Sequence, residues 1–248
     1  MSSHSKDRYG LVGKSLSHSF SKAFFEKMFQ SEAINAQYDN FEFLDANTIR
    51  SELAKVENLK GFNVTIPYKT AIISQLDGID EVAQQIGAVN TVKITENKWI
   101  GYNTDAFGFH QMIKPFLRNV HERALILGTG GASKAVSYVL NQLGIDVCYL
   151  TRKPSTKNQF SYNTANEQMM NAFKLIVNTT PIGMYPQINE MPSIPTKHLG
   201  KDHLVIDLIY NPEQTKLLEA AANQGADVLN GFSMLKHQAL KAWEIWNS

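Results

Sequence analysis

The sequence predicts an α/β protein of two domains, in which helices pack on sheets that run mostly parallel. Three observations carry this. Short apolar runs bounded by turn residues alternate with segments of helical period. A glycine cluster, Gly128-Thr129-Gly130-Gly131, sits between an apolar run and an amphipathic stretch. The last segment carries Phe232, Leu235, Ala239, Ala242, Trp243 and Trp246 at helical spacing.

Taken in order, Arg8 to Gly13 reads as a strand. Ser17 to Phe29 reads as a helix with Phe20, Phe24 and Met28 near one face. Tyr38 to Phe43 alternates as a strand does. Gly61 to Thr65 is a further strand, stopped by Pro67, which suits the first turn of a following helix. Gly87 to Thr95 and Trp99 to Tyr102 predict a strand pair, followed by a helix from Ala106 to Leu117. Arg123 to Leu127 is a strand that runs directly into the glycines. The helix after them has Ala132, Ala135, Val136, Val139 and Leu143 on one face. Ile145 to Leu150, Leu175 to Val177 and Leu204 to Leu208 complete the strands. The seam is placed near residue 104. Residues 1–104, completed by a C-terminal helix over 233–248, form the first domain, and residues 105–232 the second.

Composition narrows the function. A formal net charge of +1 leaves no global field to attract nucleic acid or an anionic membrane, so neither is expected as a partner. The single cysteine, Cys148, lies in an apolar run and reads as a buried strand position in a reducing cytoplasm. No stretch is long and apolar enough to cross a bilayer. No His or Cys cluster has ligand spacing, so no metal is expected.

The glycine cluster has a specific physical use. Glycines permit a tight turn and let backbone N–H groups approach a pyrophosphate, and the positive end of the following helix stabilises its charge. The plainer reading is a tight strand-to-helix turn, but the placement favours a dinucleotide and a Rossmann-type domain. The end of the next strand selects between cofactors. An acid there would bind a ribose 2′-hydroxyl. This chain has Thr151-Arg152-Lys153, which suits a 2′-phosphate, with Arg152 the stronger candidate and Lys153 readable as a solvated loop end. The missing acid also argues against a methyltransferase.

The first block concentrates polar residues at predicted strand ends, where α/β proteins bind ligands. They include Ser17-His18-Ser19-Phe20-Ser21, Asn63-Val64-Thr65, Lys69, Asn90-Thr91 and Asn103-Thr104-Asp105. Singly, the serines read as helix caps, Lys69 as a solvated lysine in a first helical turn, and Asp105 as a cap for a helix at Ala106. Together they supply hydroxyls, amides, one cation and one carboxylate. That inventory suits a small acid bearing several hydroxyls.

With these motifs in this order, the chain resembles the shikimate dehydrogenase family over essentially its whole length. Added to them are Asn178-Thr179-Thr180-Pro181-Ile182-Gly183-Met184, Asp207-Leu208-Ile209-Tyr210-Asn211-Pro212 and Gly231-Phe232-Ser233-Met234. The resemblance implies NADPH-dependent, reversible reduction of 3-dehydroshikimate to shikimate. It implies that Ser19 and Ser21 bind the substrate carboxylate, and that Asn63, Thr65, Asn90, Asp105 and Gln238 contact ring hydroxyls or the reacting oxygen. Lys69 and Asp105 correspond to the catalytic pair. Gly128, Gly130, Gly131 and Ala132 correspond to the pyrophosphate turn, and Thr151 and Arg152 to the NADP phosphate site. Gly231 and Met234 correspond to positions beside the nicotinamide, and Tyr210 to one near the substrate. The chain departs from the family at Ser15-Leu16 and Ser21-Lys22, where relatives often carry proline. A monomer or homodimer is expected. The alternatives are a quinate/shikimate dehydrogenase with relaxed NAD/NADP use, and a silent NADPH-binding sensor.

Overall fold

The computed structural model describes residues 5–16 and 20–248, so Ser19 lies outside the described residues. The chain divides into two compact units: Met1–Thr104 with Ala239–Ser248, and Asp105–Gln238. In chain order the first carries β1 (Asp7–Gly13), α1 (Phe20–Ser31), β2 (Ala36–Glu42), α2 (Ile49–Leu53), β3 (Leu59–Val64), β4 (Gly78–Ile79), α3 (Glu81–Ile86), β5 (Thr91–Thr95) and β6 (Lys98–Tyr102). Its six-stranded sheet runs β2-β1-β3-β5-β6-β4. β2, β1 and β3 are parallel, whereas β5 is antiparallel to both β3 and β6. An antiparallel strand starts at the edge where its neighbours end. The register pairs Asn63 with Thr91, and Thr91 with Tyr102. The polar end of β3, the start of β5 and the end of β6 therefore line one edge.

The second unit begins within α4 (Thr104–Ile113) and continues through β7 (Arg123–Leu127), α5 (Gly131–Gln142), β8 (Asp146–Thr151), β9 (Gln159–Ser161), α6 (Glu167–Ala172), β10 (Leu175–Asn178), β11 (Leu204–Asp207), α7 (Lys216–Asn223) and β12 (Asp227–Asn230) into α8 (Phe232–Asn247). Its sheet, ordered β12-β11-β10-β7-β8-β9, is parallel throughout. β10 and β11 are buried along their whole length, which is why Leu-Ile-Val-Asn and Leu-Val-Ile-Asp read as continuous runs. From β7 the chain steps outward to β8 and β9, then returns to the other side of β7 with β10. That reversal puts the glycine cluster at the switch point of the sheet, the place where open α/β sheets bind ligands.

Four local expectations are corrected. No α-helix starts at Pro67: Lys69 lies in a turn, and a short 3-10 helix spans Ala71–Gln75. The Lys69 carbonyl accepts from Val89 N at 2.7 Å, so it is not available to a helical N–H four residues on. The strand expected from Gly87 starts only at Thr91, because Gly87 closes α3 in the left-handed conformation (φ 67°). α4 starts at Thr104, which places Asp105 inside its first turn. The return of 233–248 to the first unit is confined to Ala239–Ser248. The first turns of α8 stay with α4 because Gly108 allows close approach: a Cβ there would lie 2.6 Å from the Met234 carbonyl oxygen.

Candidate active site

In the first unit the predicted residues converge through hydrogen bonds. Tyr38 donates its hydroxyl to Asn63 Oδ1 at 2.8 Å and is also bonded to Ser21. Asn63 Nδ2 donates to Thr91 Oγ1 at 3.0 Å. Thr65 follows directly and is tied to β1 by its N–H to Val12 O. Asn90, only 4% exposed, accepts at Oδ1 from Thr104 N at 2.7 Å and donates from Nδ2 to Thr104 Oγ1 at 3.1 Å. Ser21, Asn63, Thr65, Lys69 and Asn90 thus occupy one connected edge. A short path also leads from lysine to aspartate. The Lys69 carbonyl holds Val89, the next residue, Asn90, grips Thr104, and Asp105 follows in the chain.

The second unit presents the remaining candidates. Asp105 is buried in the first turn of α4. One turn later Gly108 meets α8 at Met234 and Gln238. Gly231 has no room for a side chain, since a Cβ would lie 2.0 Å from Leu208 O. Its N–H donates to Ile209 O, which places it next to the segment bearing Tyr210. Gly128 takes φ +98°, a conformation that favours glycine, and its N–H is held by Leu150 O. Gly130 forms the N-cap of α5, and no atom of the described residues lies within 4 Å of where its Cβ would be. That open face, with the first-turn N–H groups of Gly131 and Ala132 behind it, suits a pyrophosphate.

Thr151 ends β8, buried, and Arg152 beyond it is exposed. Arg152 lines a recess of about 470 Å³ with Tyr162, Ile182, Glu190, Met191 and Ser193. The Tyr162 hydroxyl is buried with no hydrogen-bond partner among the described residues. Burial raises its pKa and the Arg152 charge pulls it back down, so phenol and guanidinium share one environment. A guanidinium beside an unpartnered hydroxyl fits a phosphate. Of the five other lining residues only Ile182 stands in a motif read from the sequence; Tyr162, Glu190, Met191 and Ser193 are marked by no sequence pattern.

Residues 11–92 match the family model described as the shikimate dehydrogenase substrate binding domain. A shikimate dehydrogenase (NADP(+)) of Methanococcus maripaludis is 38% identical over 252 residues, 96% of this chain and 90% of that protein. The chain belongs to the shikimate dehydrogenase family. A shikimate dehydrogenase structure from Aquifex aeolicus superposes with a TM-score of 0.88 at 34% identity, covering 100% of this chain and 94% of that one. A shikimate 5-dehydrogenase from Thermus thermophilus, solved in complex with NADP(H) and shikimate, gives 0.85 at 30% identity, covering 97% and 93%.

Asn178 and Asp207 stand in this family's motifs, but their sequence context points to no role for either. Both are fully buried at the ends of β10 and β11. Asp207 Oδ1 accepts from Asn178 Nδ2 at 3.0 Å and Ile209 N at 3.1 Å, and Oδ2 accepts from Thr215 Oγ1 at 2.7 Å. Burial pushes the carboxyl up to about 6, against the opposing pull of these donors. An acid whose folded pKa lies above its unfolded value holds its proton more tightly when folded. Its contribution to stability is full below about pH 4 and is lost as pH rises through the folded value. Unfolding free energy should therefore fall by about 2 kcal/mol more in the parent than in Asp207→Asn between about pH 4 and 6.5. Urea unfolding at a series of pH values measures this, and equal slopes in the two proteins would refute it.

Proposed function

We propose that this chain is an NADP-dependent shikimate dehydrogenase, reversibly reducing 3-dehydroshikimate to shikimate in aromatic amino acid biosynthesis. The observation that carries the reading is the path just described. The Lys69 carbonyl accepts from Val89 N, and Asn90, the next residue, accepts from Thr104 N, the residue before Asp105, which supports reading this lysine and this aspartate as one pair. The M. maripaludis relative is named for NADP(+), and the T. thermophilus structure holds NADP(H) and shikimate.

NADPH, when bound on the Gly128–Ala132 turn, supplies the hydride. The chain's own residues do the rest. Ser19 and Ser21 hold the substrate carboxylate, and Asn63, Thr65, Asn90, Tyr210 and Gln238 orient the ring. Negative charge develops on the C3 oxygen during reduction. The Lys69 ammonium stabilises that oxygen and passes a proton to it, and Asp105 keeps the ammonium charged and directed. In the oxidative direction the pair receives the hydroxyl proton. Gly231 and Met234 would hold the nicotinamide when the cofactor is bound. We assign the enzyme to the cytoplasm as a monomer or homodimer. Among the described residues, no helix is long and apolar enough to cross a membrane.

The defining experiment is NADP⁺ reduction with shikimate followed by absorbance, and absence of turnover would overturn the reading. Cofactor choice rests on Arg152. Losing a charge-assisted bond to the 2′-phosphate should cost about 1.5–3 kcal/mol of binding. Arg152→Ala is therefore expected to raise the Kd for NADPH roughly 10–150-fold while leaving NADH nearly unchanged. Equal losses for both cofactors would make Arg152 a scaffold residue.

A further inference from the structure

One buried carboxylate reaches both ends of the dinucleotide-binding edge. Its bond from Asn178 Nδ2 fixes which way that amide faces, so Asn178 Oδ1 is turned to the loop that follows β10. There it accepts from Thr180 N at 3.0 Å and Thr180 Oγ1 at 2.7 Å. Thr180 Oγ1 in turn accepts from Ile182 N at 3.3 Å. This loop packs against the glycine turn. A Cβ on Gly128 would lie 2.9 Å from Thr180 Cγ2 and 3.1 Å from Thr179 Oγ1. In the other direction the same carboxylate holds Ile209 N, and Ile209 O accepts Gly231 N. Gly231 immediately precedes α8, which bears Met234. Through Thr215, the N-cap of α7, the carboxylate is also anchored to a helix.

We propose that Asp207 is a positioning residue for the cofactor, setting together the Gly128 turn that receives the pyrophosphate and the Gly231–Met234 segment that receives the nicotinamide. A structural carboxylate buried only for packing would need no such arrangement. An apolar side chain of similar volume fills a buried site with no desolvation cost. Here each of the three donors to the carboxylate is a backbone N–H or a side chain that grips another loop or helix. If Asn178 were released, its amide could flip and present Nδ2 to the Thr180 N–H, donor against donor.

The proposal rests on NADP being the cofactor. It is tested on the full-length enzyme by measuring Kd for NADP⁺ and for shikimate separately, by fluorescence titration. Asp207→Leu removes all three acceptor contacts. It is expected to raise the NADP⁺ Kd and KM about tenfold, while the shikimate Kd, to which the first unit contributes Ser19, Ser21, Asn63, Thr65 and Asn90 and the second Tyr210 and Gln238, changes by no more than about threefold. Asp207→Asn keeps an oxygen toward Asn178 and Ile209, and is expected to bring the NADP⁺ Kd back to within about threefold of the parent. If the leucine variant does not fold, Thr180→Val on the half-exposed loop breaks the chain one link away. Its NADP⁺ Kd should rise at least about threefold with shikimate binding unaltered. Unchanged NADP⁺ binding in folded Asp207→Leu, or in Thr180→Val where leucine fails, would overturn the proposal. So would parallel losses for both ligands, which would mark a general structural defect. A parent enzyme that does not bind NADP⁺ would instead overturn the cofactor assignment.

Discussion

Lys69→Ala is expected to lower kcat for shikimate oxidation by roughly 10²–10⁴-fold, the usual worth of positioned acid–base catalysis. That corresponds to about 3–5 kcal/mol of barrier. The lysine is half-buried in a turn whose backbone is pinned to Val89, so its loss removes an ammonium without loosening the turn. The glycine turn belongs to the other unit, and the Kd for NADPH is expected to be unchanged. Asp105→Asn preserves shape in the first turn of α4 and removes the charge, so its kcat should also fall steeply. On the proposal that the two groups act as one, the double variant should be little worse than the poorer single variant. Steady-state and single-turnover rates decide the matter. Near-normal turnover in Lys69→Ala would remove lysine from the mechanism.

The largest stability effect is expected at Trp246. Its indole is 6% exposed and lies 4.8 Å from the ring of Tyr9 and 5.4 Å from that of Phe25, by ring centroids. Nε1–H donates to Val92 O at 3.0 Å. Gly61 leaves the room for it, since a Cβ there would come within 2.3 Å of Nε1. Trp246→Ala leaves a cavity among Tyr9, Phe25 and Tyr38 and removes a hydrogen bond to β5, and should cost about 3–5 kcal/mol of the first unit's stability. Chemical unfolding followed by circular dichroism measures this, and a loss under about 1 kcal/mol would show that the last turn of α8 is peripheral.

The parts of this fold that were legible in the sequence are those where one local rule decides. β7 followed by Gly128 and Gly130 could be placed because apolar strand, positive φ and helix entry are each written in adjacent residues. β12 was not read, because Asp227-Val228-Leu229-Asn230 is too short and half-exposed to carry a period. The helix assigned after Pro67 failed because its competitor, the Val89 N–H, is distant in sequence and reaches the Lys69 carbonyl only in the folded chain. The site divides in the same way. Lys69, Asn90 and Arg152 stand in recognisable local runs. Asp207 acts through Asn178 and Gly231, on separate segments that only the sheet brings together. The residues around Arg152 are likewise assembled by the fold.

The division of α8 between the two units has a consequence for the order in which the molecule is made. Ala239, Ala242 and Trp246 belong to the same core as Tyr9 and Phe25, yet they leave the ribosome after the entire second unit. The nascent first unit therefore exposes the aromatic faces of Tyr9, Phe25, Phe29 and Tyr38 for as long as residues 105–238 take to be synthesised. The continuous second unit can close its own core in that interval, and the first is sealed last, by a helix already anchored at its start. Translation stalled or ended before Ala239 would release a chain with a finished nucleotide domain and an open, adhesive partner domain, a natural substrate for holdase chaperones.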